Sequence, residues 1–236
     1  MMTFLLEAFI VLAGVVIVYH HFVYPALVNR LAERKRRRGG SPRAPHMPDE
    51  ALPHFTVIVP AYNEEAFIAA KIRDLASLDY PSDKVRIIIA LDGSTDRTRE
   101  FAEKALKTLG NQSRIELRVF PRNRGKVAVL NQCIGEAEAT DLVALTDVST
   151  TSGPHALRRA AAQFADARVG VVFATYALTD AGSEGERVYT LYQTQLRFDE
   201  ATLDPRWAVT ARSISSAARC GAPCRPTRST TTSFCR

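Results

Sequence analysis

From Phe55 onward the chain alternates between short runs rich in β-branched residues and longer stretches in which apolar residues recur at helical spacing. The pattern predicts strands over residues 55–59, 85–91, 115–120, 142–146 and 169–176, and helices over residues 65–77, 95–109, 126–138, 154–165 and 184–203. Helices between successive strands favour parallel pairing, so we expect an α/β domain whose mostly parallel sheet carries helices on both faces. Such sheets bind ligands at the carboxyl ends of their strands.

Charge is distributed unevenly along the 236 residues, which have a formal net charge of +6. Residues 30–43 have a net charge of +6, and residues 205–236 contain six arginines and no acidic residue. Residues 44–204, between these basic segments, have a net charge of −5. The predicted folded domain is therefore acidic, which argues against nucleic acid as a partner.

The N-terminal region contains about 20 mostly apolar positions between Phe4 and Leu27. At about 1.5 Å per residue, this is enough to cross a bilayer core of roughly 30 Å. The basic run Arg30–Arg38 follows directly, so the positive-inside rule predicts that the rest of the chain is cytoplasmic. A cleaved signal peptide is the alternative, but its positive charges would precede the apolar run. We predict a transmembrane anchor over residues 1–28 and a basic juxtamembrane segment with a linker over residues 29–54.

Polar residues follow each of the first four predicted strands, in the segments 60–65, 92–98, 122–126 and 147–149. Because these strands are expected to be parallel, their polar loops should meet at one edge of the sheet. Carboxylate oxygens there suit a divalent cation that also binds a diphosphate, and Arg124 and Lys126 would neutralise charge on the departing diphosphate. A Walker-type loop and a Gly-x-Gly-x-x-Gly after a strand are both missing from the sequence, which argues against NTPases and dinucleotide oxidoreductases.

A structural explanation stays open for each of these positions. Asp92 and Asp96 could cap the helix predicted near Thr95, and Asp147 could cap the helix near Pro154. Lys126 could begin a solvated helix. The remaining polar or reactive residues with a structural interpretation are Asn131 on a helix surface, Glu65 at a helix start and Cys133 in the core.

Four segments of the chain resemble motifs of the family 2 glycosyltransferases. Residues 57–64, residues 92–96 and Gly125–Lys126 followed by Asn131 are similar to the opening motifs of that family, and residues 146–149 resemble its metal-binding acidic motif. The resemblance covers about residues 55–200. It implies a glycosyltransferase A-type fold and an inverting transfer of sugar from a UDP-sugar to a saccharide or lipid-linked acceptor. Together with the anchor and its basic flank, it leads us to expect a role in bacterial polysaccharide synthesis, with the domain at the cytoplasmic side of the inner membrane.

The resemblance also implies which residues form the site. The residues that would contact the nucleotide sugar are Pro60, Tyr62, Glu64, Asp92, Ser94 and Lys126. Asp147 would bind a divalent metal, Mg²⁺ or Mn²⁺, together with the diphosphate. Ser149 stands where a second acidic residue often occurs in the family, which weakens the inferred metal site without removing it.

The composition changes after Asp204. Residues 205–236 contain no Leu, Lys, Asp or Glu and show no helical or strand periodicity, so we predict an aberrant, disordered tail after an incomplete domain over residues 55–204. Zinc binding by Cys220, Cys224 and Cys235 is disfavoured because no His lies nearby and the spacing is poor. A frameshift from Arg219 onward would instead encode an acidic, apolar segment similar to the acceptor side of the family.

An inverting transferase needs a carboxylate that deprotonates the acceptor hydroxyl. Residues after Asp204 supply none. The catalytic base is therefore unassigned, and a catalytically inactive, truncated nucleotide-sugar-binding relic is the alternative hypothesis.

Overall fold

The computed structural model describes residues 2–38, 47–110, 114–137, 140–174, 184–204, 207–210 and 216–219. The helices are α1 (Met2–Val18), α2 (Tyr24–Arg38), α3 (Ile68–Ala76), α4 (Thr98–Thr108), α5 (Lys126–Gly135), α6 (Ala156–Gln163) and α7 (Glu184–Leu203). The strands are β1 (Phe55–Ala61), β2 (Val85–Asp92), β3 (Ile115–Phe120), β4 (Leu142–Leu145), β5 (Val171–Ala174), β6 (Trp207–Thr210) and β7 (Ser216–Arg219). Two compact units make up the chain, residues 1–43 with 178–207 and residues 44–177 with 208–236.

The first unit contains α1, α2 and α7. A π-helical turn over Tyr19–Val23 joins α1 to α2, so helix is continuous from Thr3 to Arg38. Among the described helices this is the one long and apolar enough to cross a membrane, judged by length and composition. The basic residues up to Arg38 therefore extend the apolar helix, whereas the sequence analysis assigned them to a juxtamembrane segment and linker.

A buried carboxylate joins α2 to α7 within this unit. Asp199 on α7 is 2% exposed and accepts hydrogen bonds from the Asn29 amide at 2.9 Å and the Arg36 guanidinium at 3.0 Å. Gln195, one turn earlier on α7, donates to the same carboxylate at 3.0 Å. Val28 and Ala32 are buried on α2. Small apolar contacts and one fully satisfied charge thus hold together two helices that are distant in the sequence.

The second unit contains the sheet, whose strand order over the described residues is β3-β2-β1-β4-β7-β5-β6. Strand β1 pairs in parallel with β2 and β4, and β2 pairs in parallel with β3. Strand β7 is antiparallel to β4 and to β5. The expected mostly parallel α/β sheet is confirmed.

Both faces of the central strands are buried against helices. Val57 and Val59 of β1 belong to a large apolar cluster that also contains Ile72 of α3 and Leu157 of α6. Ile58, between them, belongs to a second cluster on the opposite face. That second cluster also contains Val129, Leu130 and Cys133 of α5, which confirms Cys133 as a core residue. Burial on both faces explains why these strands are apolar without alternation.

Two predictions about the flanks of this domain need correction. The linker expected up to residue 54 is packed at its end, because Leu52 is buried and Lys84 donates to the carbonyl oxygens of Asp49, Glu50 and Leu52 at 2.7–3.0 Å. The disordered tail expected from residue 205 contains strands β6 and β7. Strand β7 has small residues and no alternation, so its conformation comes from backbone pairing with β4 and β5. Residues 220–236, including Cys220, Cys224 and Cys235, lie outside the described residues.

The turn after β2 depends on a glycine. Gly93 has a φ of +66°, and its N–H donates to the Phe120 carbonyl oxygen at 3.1 Å. A Cβ atom at this position would lie 2.2 Å from the Asn123 nitrogen and 2.4 Å from the Arg122 carbonyl carbon. Both are backbone atoms, so the neighbouring loop would have to move.

We therefore expect Gly93→Ala to lower the free energy of unfolding by about 2–5 kcal/mol, from left-handed backbone strain and steric overlap together. Gly110→Ala is the matched control, because Gly110 has a φ of +70° but no atom within 4 Å of its Cβ position. The free energy of unfolding of that variant should fall by only about 1–2 kcal/mol. Urea unfolding of the full chain in detergent, followed by circular dichroism, measures both. Equal losses would show that the close approach at Gly93 is unimportant.

Candidate functional site at the carboxyl edge of the sheet

The loops after β1, β3 and β4, together with Asp92 at the end of β2, surround a cleft of about 410 Å³ in the second unit. The residues that line it are Pro60, Ala61, Tyr62, Glu64, Asp92, Asn123, Gly125, Lys126, Asp147, Val148 and Ser149. Of the seven site residues predicted from the sequence, six line this cleft. Ser94 is the exception.

The loops after β1 and β2 are fastened to each other by Asn63. This residue has a φ of +53°, a left-handed conformation that asparagine tolerates better than most residues. Its side-chain oxygen accepts the Thr95 N–H at 2.9 Å, and its own N–H donates to Ser94 Oγ at 3.2 Å. The Ser94 hydroxyl therefore supports the neighbouring loop instead of lining the cleft.

Further along, the same two loops exchange backbone hydrogen bonds with side chains. Glu64 N–H donates to Thr98 Oγ1 at 2.8 Å, and Glu65 N–H donates to Asp96 at 3.2 Å. Arg97 N–H donates back to the Glu65 carboxylate at 3.0 Å. These contacts satisfy backbone groups outside a helix, which is why α3 and α4 begin three residues later than the sequence pattern predicts. Asp96 also accepts the N–H of Thr98, the first residue of α4, at 3.0 Å, although Arg97 occupies the N-cap position.

Asp92, at the end of β2, organises the loop after β3. Its carboxylate is 3% exposed and accepts the Arg124 N–H at 2.9 Å and the Gly125 N–H at 2.8 Å. It thereby fixes the backbone immediately before Lys126, the first residue of α5. The alternative in which Asp92 caps the helix near Thr95 is wrong, because the donors belong to another loop.

Two residues from the loop after β3 and from α5 are not among those that line the cleft. The Arg124 guanidinium lies 4.1 Å from the centre of the Phe120 ring and donates to Gln132 at 2.7 Å. Arg124 was expected beside a diphosphate, and these two contacts hold it against the end of β3 and against α5. Asn131 is likewise not among the lining residues, in agreement with its interpretation as a helix-surface residue.

The charged pair in the cleft consists of Lys126 and Asp147. Lys126 Nζ lies 2.6 Å from Asp147 Oδ1, and the two side chains are 59% and 42% exposed. Both side chains can therefore be reached from solvent. An ammonium that can bind a diphosphate and a carboxylate that can bind a cation are thus adjacent at the mouth of the cleft.

The oxygen atoms around Asp147 fit a cation that is held mainly by a diphosphate. Among the described residues there is no group of three His, Cys, Asp or Glu side chains that would hold a metal alone. Mg²⁺ in nucleotide sites typically keeps water ligands and uses one or two carboxylates with the substrate phosphates. Asp147, with the Ser149 hydroxyl beside it in the lining, supplies such a partial ligand set.

Sequence reasoning missed Lys71 and Asp74 on α3. Lys71 is 2% exposed and contacts the loop that carries Asp147. Burial lowers the pKa of Lys71 and raises the pKa of Asp74, while each partly offsets the shift of the other. The sequence did contain an indication that Lys71 is unusual, because Lys71 interrupts the apolar helical stripe formed by Ile68, Ile72 and Leu75.

The chain is similar to known proteins whose names denote sugar transfer. Beta-monoglucosyldiacylglycerol synthase from Synechocystis sp. is 32% identical over 120 residues, which is 51% of this chain and 25% of that protein. An N-acetylglucosaminyltransferase from Rhizobium leguminosarum bv. viciae is 31% identical over 123 residues, 50% of this chain and 27% of that protein. The matched segment thus spans about a quarter of the length of these relatives.

A solved structure of the mannosyltransferase PcManGT from Pyrobaculum calidifontis, in complex with GDP-Man and Mn²⁺, is also similar. The TM-score is 0.64 at 26% identity, and the similarity covers 87% of this chain and 55% of the other. The family model described as glycosyl transferase family 2 matches residues 56–219, which include every loop around the cleft as well as strands β6 and β7. This chain therefore belongs to glycosyl transferase family 2.

Proposed function

We propose that the chain is the donor-binding part of an inverting glycosyltransferase. In this proposal it transfers a sugar from a UDP-sugar to a saccharide or lipid-linked acceptor in bacterial glycan synthesis. The observation that carries the proposal is the Lys126–Asp147 pair in a cleft at the carboxyl edge of a parallel sheet. Membership of the family and relatives whose names denote sugar transfer support it.

Each of the seven site residues predicted from the sequence has a role in this proposal. Lys126 binds the diphosphate, and Asp147 binds a divalent cation, Mg²⁺ or Mn²⁺, that the diphosphate also coordinates. The cation would neutralise negative charge on the leaving diphosphate. Pro60, Tyr62 and Glu64 face the nucleoside part of the donor from the loop after β1. Asp92 acts through the backbone of Gly125, and Ser94 acts through Asn63.

A GDP-sugar is the second candidate donor, because PcManGT was solved with GDP-Man. A catalytically inactive relic was the alternative drawn from the sequence of the tail. One argument for the relic was that the sequence after Asp204 is foreign to the family. That argument is weakened, because the family match continues to Arg219 and includes residues assigned to that tail. Active transfer is therefore the hypothesis that we prefer, with the catalytic base still unassigned.

We further propose that the helix from Thr3 to Arg38 anchors the protein in the bacterial inner membrane and that the cleft faces the cytoplasm. The apolar part of this helix is exposed along its length, with Phe9 67% and Phe22 70% exposed. The basic residues after it match the orientation that the positive-inside rule predicts. A cytoplasmic site would also have direct access to soluble nucleotide sugars.

Asp147→Asn should weaken Mn²⁺-dependent nucleotide binding about 10-fold or more, because it removes the carboxylate charge that binds the cation. Isothermal titration calorimetry of the full chain in detergent, with UDP or GDP and with Mn²⁺ or EDTA, measures this effect. It also shows whether uracil or guanine is the preferred nucleobase. Asp141→Asn is the control, since Asp141 lies at the opposite end of β4 and is 63% exposed. Unchanged Mn²⁺-dependent binding in Asp147→Asn would refute the assigned site.

Lys126→Met should change two affinities in opposite directions. Mn²⁺ alone should bind up to about fivefold tighter, because an exposed ion pair worth up to about 1 kcal/mol no longer competes for Asp147. UDP in EDTA should bind more weakly, because the ammonium that binds its diphosphate is gone. Electron paramagnetic resonance of Mn²⁺ and calorimetry with UDP measure the two changes. Arg124→Gln should alter neither affinity, and a parallel loss of both affinities in Lys126→Met would contradict this role for the ion pair.

Reporter fusions test the proposed membrane orientation. Green fluorescent protein fused after Arg38 should fluoresce, whereas alkaline phosphatase fused at the same position should be inactive in the cytoplasm. Both fusion proteins should remain in the membrane fraction after a carbonate wash. Active alkaline phosphatase at this position would show the opposite orientation.

A further inference from the structure

The loop that carries Asp147 is held from behind by a buried lysine. Lys71 lies on α3, and its side chain has no exposed surface. Its Nζ donates to Thr146 Oγ1 at 3.0 Å and to the Thr150 carbonyl oxygen at 2.7 Å. These acceptors lie before and after Asp147 in the sequence. One ammonium group therefore joins the two ends of the loop that carries Asp147.

Hydrogen bonds within the loop transmit this constraint to Asp147. The hydroxyl groups of Thr146 and Thr150 lie 2.9 Å apart, and Thr150 Oγ1 donates to the Asp147 carbonyl oxygen at 2.8 Å. Thr146 N–H donates to the Ile58 carbonyl oxygen of β1 at 3.2 Å. The backbone of Asp147 is thus tied to the sheet on one side and to Lys71 on the other.

Asp74, one turn after Lys71 on α3, holds the end of the same loop. Its carboxylate lies 3.6 Å from Lys71 Nζ and accepts the Ser152 N–H at 2.9 Å. Burying an ammonium and a carboxylate is costly, and apolar residues of similar size often stabilise a fold at least as well. Stability alone therefore does not explain a charged pair at this position, whereas the shaping of a polar loop does.

We propose that Lys71 is a positioning residue which, with Asp74, fixes the loop from Thr146 to Ser152 so that the Asp147 carboxylate projects into the cleft. This inference rests on the proposed function, because it matters to the activity only if Asp147 binds the cation and diphosphate. Removal of groups that orient metal ligands typically lowers metal affinity about 10–100-fold. Only the affinity for the cation should fall, and binding of the nucleotide without a cation should not change, since Lys71 does not line the cleft.

The test substitutes Lys71→Met, which keeps the length of the side chain but removes its three donors. Mn²⁺-dependent binding of UDP to the full chain in detergent should weaken about 10-fold. Binding of UDP in EDTA should stay within about twofold of wild type, because Lys126 is untouched. Lys84→Met is the matched control, since Lys84 also holds a loop through three carbonyl oxygens, those of Asp49, Glu50 and Leu52. It should leave both affinities unchanged.

Two more variants separate positioning from stability. Lys71→Met leaves Asp74, whose side chain is only 11% exposed, without its counter-charge, so Lys71→Met combined with Asp74→Asn should recover thermal stability but not Mn²⁺ affinity. Thr150→Val removes the hydroxyl that donates to the Asp147 carbonyl oxygen and changes no charge. It should also weaken Mn²⁺-dependent binding, and it provides the test if the lysine variants do not fold.

The possible outcomes distinguish a failure of the positioning role of Lys71 from a failure of the proposed site at Asp147. If Asp147→Asn weakens Mn²⁺-dependent binding while the folded Lys71 and Thr150 variants bind as wild type does, the positioning role is refuted and the proposed site stands. If Asp147→Asn itself binds as wild type does, the proposed function is refuted at this residue. Selective loss of Mn²⁺ affinity in Lys71→Met, with Lys84→Met unaffected, supports the positioning role.

Discussion

The parallel pairing of β1 with β2 on one side and β4 on the other is the constraint from which the rest of the second unit follows. These strands begin in register, with Phe55 opposite both Val85 and Leu142, so their carboxyl ends reach the same edge. Helices bury both faces of the strands, and polar chemistry therefore concentrates in the loops at the edge. Those loops cannot pair as strands, so their backbone donors need other acceptors.

Much of the polar chemistry at this edge serves that need. Asn63 and Asp92 are both near the cleft, and their side-chain oxygens accept backbone N–H groups from neighbouring loops. Lys71 has the complementary role, because its ammonium donates hydrogen bonds to carbonyl and hydroxyl oxygens of the loop after β4. In contrast, the Lys126 ammonium and the Asp147 carboxylate pair with each other, and both side chains are about half exposed. The residues that hold the loops together can thus be told from those whose charged groups are open to solvent in the cleft.

The first unit also satisfies a buried polar group with side chains from different segments of the chain. Asp199 is almost completely buried, and side chains from two helices satisfy its carboxylate. Removing any one of the donors would leave a buried charge undersatisfied, which is costlier than the loss of an ordinary surface contact. A single carboxylate therefore links α2, which continues the apolar helix, to α7, which lies more than 140 residues later in the sequence.

The sequence by itself determined the strands β1 to β4, the apolar N-terminal helix and the location at the cleft of six of the seven predicted site residues. It could do so because strand and helix periodicity are local, and because parallel topology brings the loops that follow the strands to one edge. Tertiary structure alone decided that Ser216–Arg219 forms a strand between β4 and β5, since that segment has no alternation and takes its conformation from backbone pairing at both sides. It also decided that Ser94 and Arg124 turn toward protein groups and that Lys71 is buried beneath Asp147. The direction of a long or polar side chain depends on acceptors supplied by distant segments, and no local pattern in the sequence specifies those acceptors.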